Sequence, residues 1–125
     1  MAFVNFTYPD KHLDTLDRTT LTMETVYSVF TEPSSKDITI RFSELPIGNY
    51  KLITTSINRQ HGSLMDHMLD YGSFDNLHPE DISNIREMTH PETHASYMNT
   101  SDGSLIIHLH LQPHEVVFCK LVRSL

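Results

Sequence analysis

The sequence predicts a mainly β fold, an antiparallel β-sandwich carrying two short inserted helices, and three features predict it. Asp37-Ile38-Thr39-Ile40-Arg41-Phe42 and Leu105 to Leu111 alternate apolar and polar residues with the period of two that a half-buried strand requires. Turn signals bound these runs, above all Leu45-Pro46-Ile47-Gly48-Asn49 and Ser101-Asp102-Gly103. Helical spacing occurs only from Ser63 and from Pro79, and neither stretch is long enough to cover a parallel sheet, so two antiparallel sheets must cover each other.

Taken in order, Ala2 to Tyr8 is rich in aromatic and β-branched residues and stops at Pro9, which reads as a strand. Asp10 to Thr22 is polar and mixed and gives no clear element. Thr25 to Phe30 is expected to be a second strand, closed by Glu32-Pro33-Ser34-Ser35. The next strand places Ile38, Ile40 and Phe42 on one face, and the following turn leads into a strand from Tyr50 to Asn58. From Ser63 the pattern becomes helical, with Leu64, Met65, Met68 and Leu69 on one side. Ser63 serves as N-cap, Asp66 stands three residues on, and Gly72 follows the last turn. A second helix is expected from Pro79 to about Met88, with Pro79 in the first position, Glu80 and Asp81 at the positive end of the dipole, and Pro91 beyond the end. Leu105, Ile107, Leu109 and Leu111 then alternate with Ile106, His108 and His110 in what reads as the longest strand. Pro113 and His114 break it, and Glu115 to Val122 forms a final buried strand.

The chain of 125 residues has the size of one domain, and residues 1–125 read as a single unit. Its composition, 38% hydrophobic and 20% charged, is that of a soluble globular protein. No apolar run reaches the length of a membrane span, and the N-terminus has neither a basic segment nor a sustained apolar stretch, so no membrane association and no signal peptide are expected. One cysteine, Cys119, permits no internal disulfide and fits a cytoplasmic setting. The formal charge of −7 and the scattered bases argue against direct binding of nucleic acid, which needs cations to neutralise phosphates.

Candidate chemistry is sparse. His108 and His110 share one strand face, and with His114 they could form a zinc site. No second cluster of ligands with recognisable spacing and no His-Glu-x-x-His helix supports it, so the polar face of a strand is the preferred reading. His61 and Ser63 are close in sequence, but the surroundings are not Gly-x-Ser-x-Gly, and a turn glycine followed by a helix cap accounts for Gly62 and Ser63. Asp66 and Asp70 lie four apart on a helix, as exposed acids commonly do. Asn5-Phe6-Thr7 and Asn99-Thr100-Ser101 match the glycosylation sequon, as chance matches if no secretory signal is present. No catalytic, cofactor-binding or metal-ligating residue is therefore assigned, and no cofactor is expected.

Leu45-Pro46-Ile47-Gly48-Asn49-Tyr50, then Ile57-Asn58-Arg59-Gln60-His61-Gly62-Ser63, then Asp66, resembles the C-terminal β-sandwich of glycoside hydrolase family 39, the β-xylosidase family. That region has a Leu-x-x-Gly-x-Tyr turn and strand, then a His-Gly-Ser segment opening a helix. Leu77-His78-Pro79-Glu80-Asp81-Ile82, Thr89-His90-Pro91-Glu92 and Leu111-Gln112-Pro113-His114-Glu115-Val116 are similar to its later pieces. The chain departs from the pattern in having no tryptophan, where one commonly follows the His-Gly-Ser segment. The resemblance implies a non-catalytic accessory domain. The family's two catalytic glutamates sit in a (β/α)₈ barrel of ~250 residues, whereas this chain has no Asn-Glu dipeptide and nothing to fill either carboxylate role. The implied partner is the remainder of a parent chain, either a hydrolase barrel or an AraC-type transcription regulator carrying a similar region. Carbohydrate is a possible ligand, although the stacking tryptophan of many carbohydrate-binding modules is missing.

Overall fold

The computed structural model describes residues 1–9, 25, 27–30, 34–70 and 76–124, apart from the side chains of residues 68–70. The stretch Asp10 to Thr22, the Glu32-Pro33 pair, Gly72 and the side chains of Met68, Leu69 and Asp70, all used above, lie outside the described residues. The described elements are β1 (Ala2–Val4), a 3-10 turn (Tyr27–Val29), β2 (Lys36–Phe42), β3 (Gly48–Ile57), α1 (Leu64–Asp70), α2 (Pro79–Met88), β4 (Glu92–Thr100), β5 (Leu105–Leu111) and β6 (Val116–Ser124). A four-stranded sheet in the order β1-β6-β3-β4 faces a two-stranded sheet of β2 and β5, and every pairing is antiparallel. The predicted mainly β architecture with two short helices inserted between strands is the one found.

The core lies between the sheets because the period-two pattern sends one face of each strand inward. Leu52 of β3, Ile107 and Leu111 of β5, and Val117 and Cys119 of β6 form its buried cluster. Ile38, Ile40 and Phe42 of β2 pack against it from one face, as their alternation requires, while Asp37, Thr39 and Arg41 are exposed. Each fully buried Leu or Ile contributes roughly 1.5–3 kcal/mol by leaving water. Burial also raises the pKa of the Cys119 thiol, which suits its role as a small apolar core residue.

Turn chemistry shapes the connection between β4 and β5, which carries the chain from one sheet to the other. Asp102 Oδ1 accepts hydrogen bonds from Ser104 N at 2.8 Å, Ser104 Oγ at 2.8 Å and Thr100 Oγ1 at 3.1 Å. Gly103 adopts φ +80°, and a Cβ there would come within 3.0 Å of Leu45 O, so both conformation and close approach demand glycine. α1 starts where the Ser63 cap predicts: Ser63 Oγ accepts from Asp66 N at 3.3 Å and donates to Asp66 Oδ2. α2 starts at Pro79, and Asp81 Oδ2 accepts from His78 N at 2.8 Å.

Four expectations need correction. Tyr27 to Val29 is a 3-10 turn closed by Phe30 N donating to Tyr27 O at 3.2 Å, not a strand, because contacts of the Tyr27 side chain with Asp66 and Arg59 outweigh local β propensity. The first strand ends at Val4, where the Asn5 side chain turns inward, and Phe6 and Tyr8 stand exposed with their rings 5.0 Å apart. The longest strand is β3, of 10 residues, rather than β5, of 7. Finally, β4 occupies Glu92 to Thr100, where no strand was expected, and it is held by its ladder with β3.

Candidate functional site

The polar groups of this chain converge at one end of the sandwich, where the loop after β3, the start of α1, the turn between β5 and β6 and the 3-10 turn meet. At the centre is Asp66, only 4% exposed. Its Oδ2 accepts from Tyr27 Oη at 2.7 Å and from Ser63 Oγ, and its Oδ1 accepts from Arg59 Nε at 3.2 Å. The Arg59 guanidinium lies over the Tyr27 ring at 3.6 Å from the centroid, a cation–π stack that fixes both side chains. Burial, and then the hydrogen bond to the Asp66 carboxylate, raise the pKa of Tyr27 above its ordinary value, keeping the phenol a proton donor.

A second buried carboxylate, Glu115, closes the other side. Its Oε1 accepts from Asn58 Nδ2 at 3.1 Å and its Oε2 from Gln112 N at 2.6 Å. Asn58 Oδ1 in turn accepts from Gln60 N at 3.0 Å and His61 N at 2.9 Å, shaping the loop that leads to Ser63. Asn5 completes the closure: its Nδ2 donates to Ser34 O at 2.8 Å and Gln112 O at 3.0 Å, while its backbone exchanges bonds with Glu115 O and His114 N, each at 2.9 Å. The Gln112-to-Glu115 turn has proline at its second position and His114 at its third with φ +62°, the pattern of a type II turn. The His114 ring packs 4.2 Å from Phe30 and 5.7 Å from Tyr27, and its Nε2 is buried with no hydrogen-bond partner among the described residues. A cleft of about 210 Å³ lies alongside, lined by Tyr27, Arg59, Gln60, Gln112, Pro113 and His114.

Both carboxylates are buried, and each of their four oxygens already accepts at least one hydrogen bond from the surrounding loops. Ser63 Oγ is directed to Asp66, whereas the His61 ring faces Glu92, its Nε2 3.8 Å from the carboxylate and that of His94 3.1 Å from it, so His61 and Ser63 form no acid–base pair. His108 and His110 stand on the exposed face of β5, opposite Thr39 at 3.2 Å and Asp37 at 2.7 Å, while the His114 ring lies among aromatic rings. Among the described residues no three or more His, Cys, Asp or Glu side chains are grouped to hold a metal ion. The Asn5 side chain is buried and bonded, which leaves no access for a glycan, whereas Asn99 is exposed and donates to Asn49 Oδ1 at 2.7 Å. Sequence reasoning missed Tyr27 and Asn5 as members of this junction, and it read Asp66 as an exposed acid on a helix face. Asp66 is buried instead, because Tyr27, Arg59 and Ser63 supply donors in place of water. The available signal was the placing of Asn58 and Glu115 at the ends of apolar segments.

Two apolar surfaces remain uncovered. Leu64, Met65, Ile82 and Met88 are exposed on the helix pair, and Val4, Phe118, Val122 and Tyr97 are exposed on the four-stranded sheet. No helix among the described residues is long and apolar enough to cross a membrane.

No family model matches the chain, and no curated protein matches it. Its fold does recur in solved structures. The chain superimposes with a TM-score of 0.71 and 17% identity on a GH39 enzyme from Xanthomonas axonopodis pv. citri, covering 98% of this chain and 23% of that one. A monomeric β-xylosidase from Caulobacter crescentus gives a TM-score of 0.67 and 18% identity, over 96% of this chain and 23% of that one. The bacterial orthologue of human α-L-iduronidase gives 0.52 and 15%, over 77% and 19%. The chain thus has the fold of a segment that makes up less than a quarter of these glycosidases, in keeping with the resemblance in its motifs.

Proposed function

We propose that the chain is a non-catalytic accessory unit of a protein resembling glycoside hydrolase family 39, a β-sandwich that packs against a catalytic barrel elsewhere in its parent. The observation that carries this reading is the coverage: nearly all of this chain matches 23% of a GH39 enzyme. The geometry supports it, because Asp66 and Glu115 are buried and occupied in closing the end of the fold. The exposed Leu64, Met65, Ile82 and Met88 of the helix pair supply an apolar flank of the kind that an adjoining unit of the same parent covers. The purified chain is expected to release no product from aryl xylosides and no heat on titration with xylo-oligosaccharides. Turnover by the purified chain overturns the reading, and saturable heat replaces it with that of a carbohydrate-binding module.

A further inference from the structure

Among the described residues β4 is an edge strand without the usual protection. The strand order β1-β6-β3-β4 leaves it outermost, and among the described residues its ladder partner is β3. Natural edges are blunted by short length, by charges or by proline. The opposite edge of the same sheet, β1, is 3 residues long, and β2 of the second sheet carries Lys36, Asp37 and Arg41. β4 runs for 9 residues, with no Lys, Arg or Pro and a single acid, Glu92, at its start. Thr93 to Tyr97 are exposed without interruption, so both faces of the strand are open there, and Tyr97 is 74% exposed.

We propose that β4 pairs antiparallel with β4 of a second copy of this chain about a two-fold axis at Ser96, joining the two four-stranded sheets edge to edge. The self-complementarity of the strand favours a second copy over a foreign strand. In this register Ser96 faces its mate, Ala95 faces Tyr97, His94 faces Met98 and Thr93 faces Asn99. No like charges oppose each other, and the large Tyr97 ring falls against the small Ala95, a favourable cross-strand pairing. Lys51, whose Nζ lies 5.7 Å from the Tyr97 ring centroid, flanks the seam in each copy. The contact is isologous and closes at two subunits.

Sedimentation velocity on the whole chain over a wide range of concentration tests this. The wild type is expected to form a dimer. The double variant Ala95→Lys/Tyr97→Lys, which sets lysines opposite each other across the axis, is expected to raise its dissociation constant by roughly a hundredfold. Circular dichroism of that variant should stay unchanged, and its melting temperature should match that of the wild type at concentrations low enough for both to be monomeric, since both positions are exposed. The register is read separately: facing residues of an antiparallel pair lie roughly 4.5–5.5 Å apart at Cα, within reach of a disulfide, so a Ser96→Cys variant is expected to oxidise to a linked dimer and a Thr93→Cys variant is not. A chain that stays monomeric throughout, or a dimer that survives the two lysines, overturns the proposal. Cross-linking through Phe118→Cys instead of Ser96→Cys also overturns it, by moving the contact to the sheet face. None of these outcomes depends on whether the chain turns over or binds a xyloside.

Discussion

The middle of the sandwich and its polar end are built on opposite principles. Between the sheets, Leu52, Ile107, Leu111, Val117 and Cys119 exclude water with apolar groups, and the hydrogen bonds there belong to strand ladders. At the end, Asn5, Asn58, Asp66 and Glu115 are just as buried, yet each is polar and joined by side-chain bonds to residues far away in sequence. The difference teaches that a polar cluster in a small β protein can serve as closure. Its buried carboxylates stay because every oxygen that would miss water has a donor instead.

The largest effect is expected in the apolar region. Leu111 is fully buried, and Leu111→Ala removes its methyl groups and leaves a cavity, at a cost of about 4 kcal/mol in urea unfolding. A loss under about 1 kcal/mol would mean that the sheets do not pack as described. Next comes Glu115→Ala, which strips the acceptor from Asn58 Nδ2 and Gln112 N and should cost about 2–3 kcal/mol. Glu115→Gln keeps one acceptor oxygen and should lose less, so equal losses in the two variants would show that the carboxyl oxygens do not carry the closure.

A smaller effect separates the two regions by pH. Because the pKa of Tyr27 is raised in the folded state by burial and then by Asp66, the native state keeps the phenolic proton in a range above pH 10.0 where the unfolded chain releases it. The native state then binds more protons, so stability is expected to fall as pH rises through that window. Tyr27→Phe should lower stability by about 1 kcal/mol at neutral pH and flatten the alkaline decline. A decline unchanged in Tyr27→Phe would contradict this assignment. The smallest effect belongs to the outer face of β5, where His108→Ala and His110→Ala should each change stability by less than about 0.5 kcal/mol.

The two regions also differed in how well the sequence revealed them. β2 and β5 were legible because both alternate strictly and one face of each meets the core. β4 was not, since Met98 is its contact with the core cluster and Thr93 to Tyr97 alternate nothing; its conformation comes from the long ladder with β3. Tyr27 was misread because Val-Tyr-Ser-Val-Phe has strand composition, while the contacts that bend it come from Arg59 and Asp66, more than 30 positions away. Asn58, Asp66 and Glu115 stood inside recognisable motifs, but their pairing is a fact of three dimensions: the 57 positions between Asn58 and Glu115 leave no periodic trace.

The central proposal is that the polar end belongs to the rigid frame of the sandwich. Native-state amide hydrogen exchange tests it most directly, at the amides of Gln60, His61 and Gln112, which donate to the Asn58 and Glu115 side chains. The account predicts protection approaching that of the β3–β6 ladder, lost together with it in a single cooperative opening. Exchange of these amides at the rate of free loops, while the ladder stays protected, would contradict it.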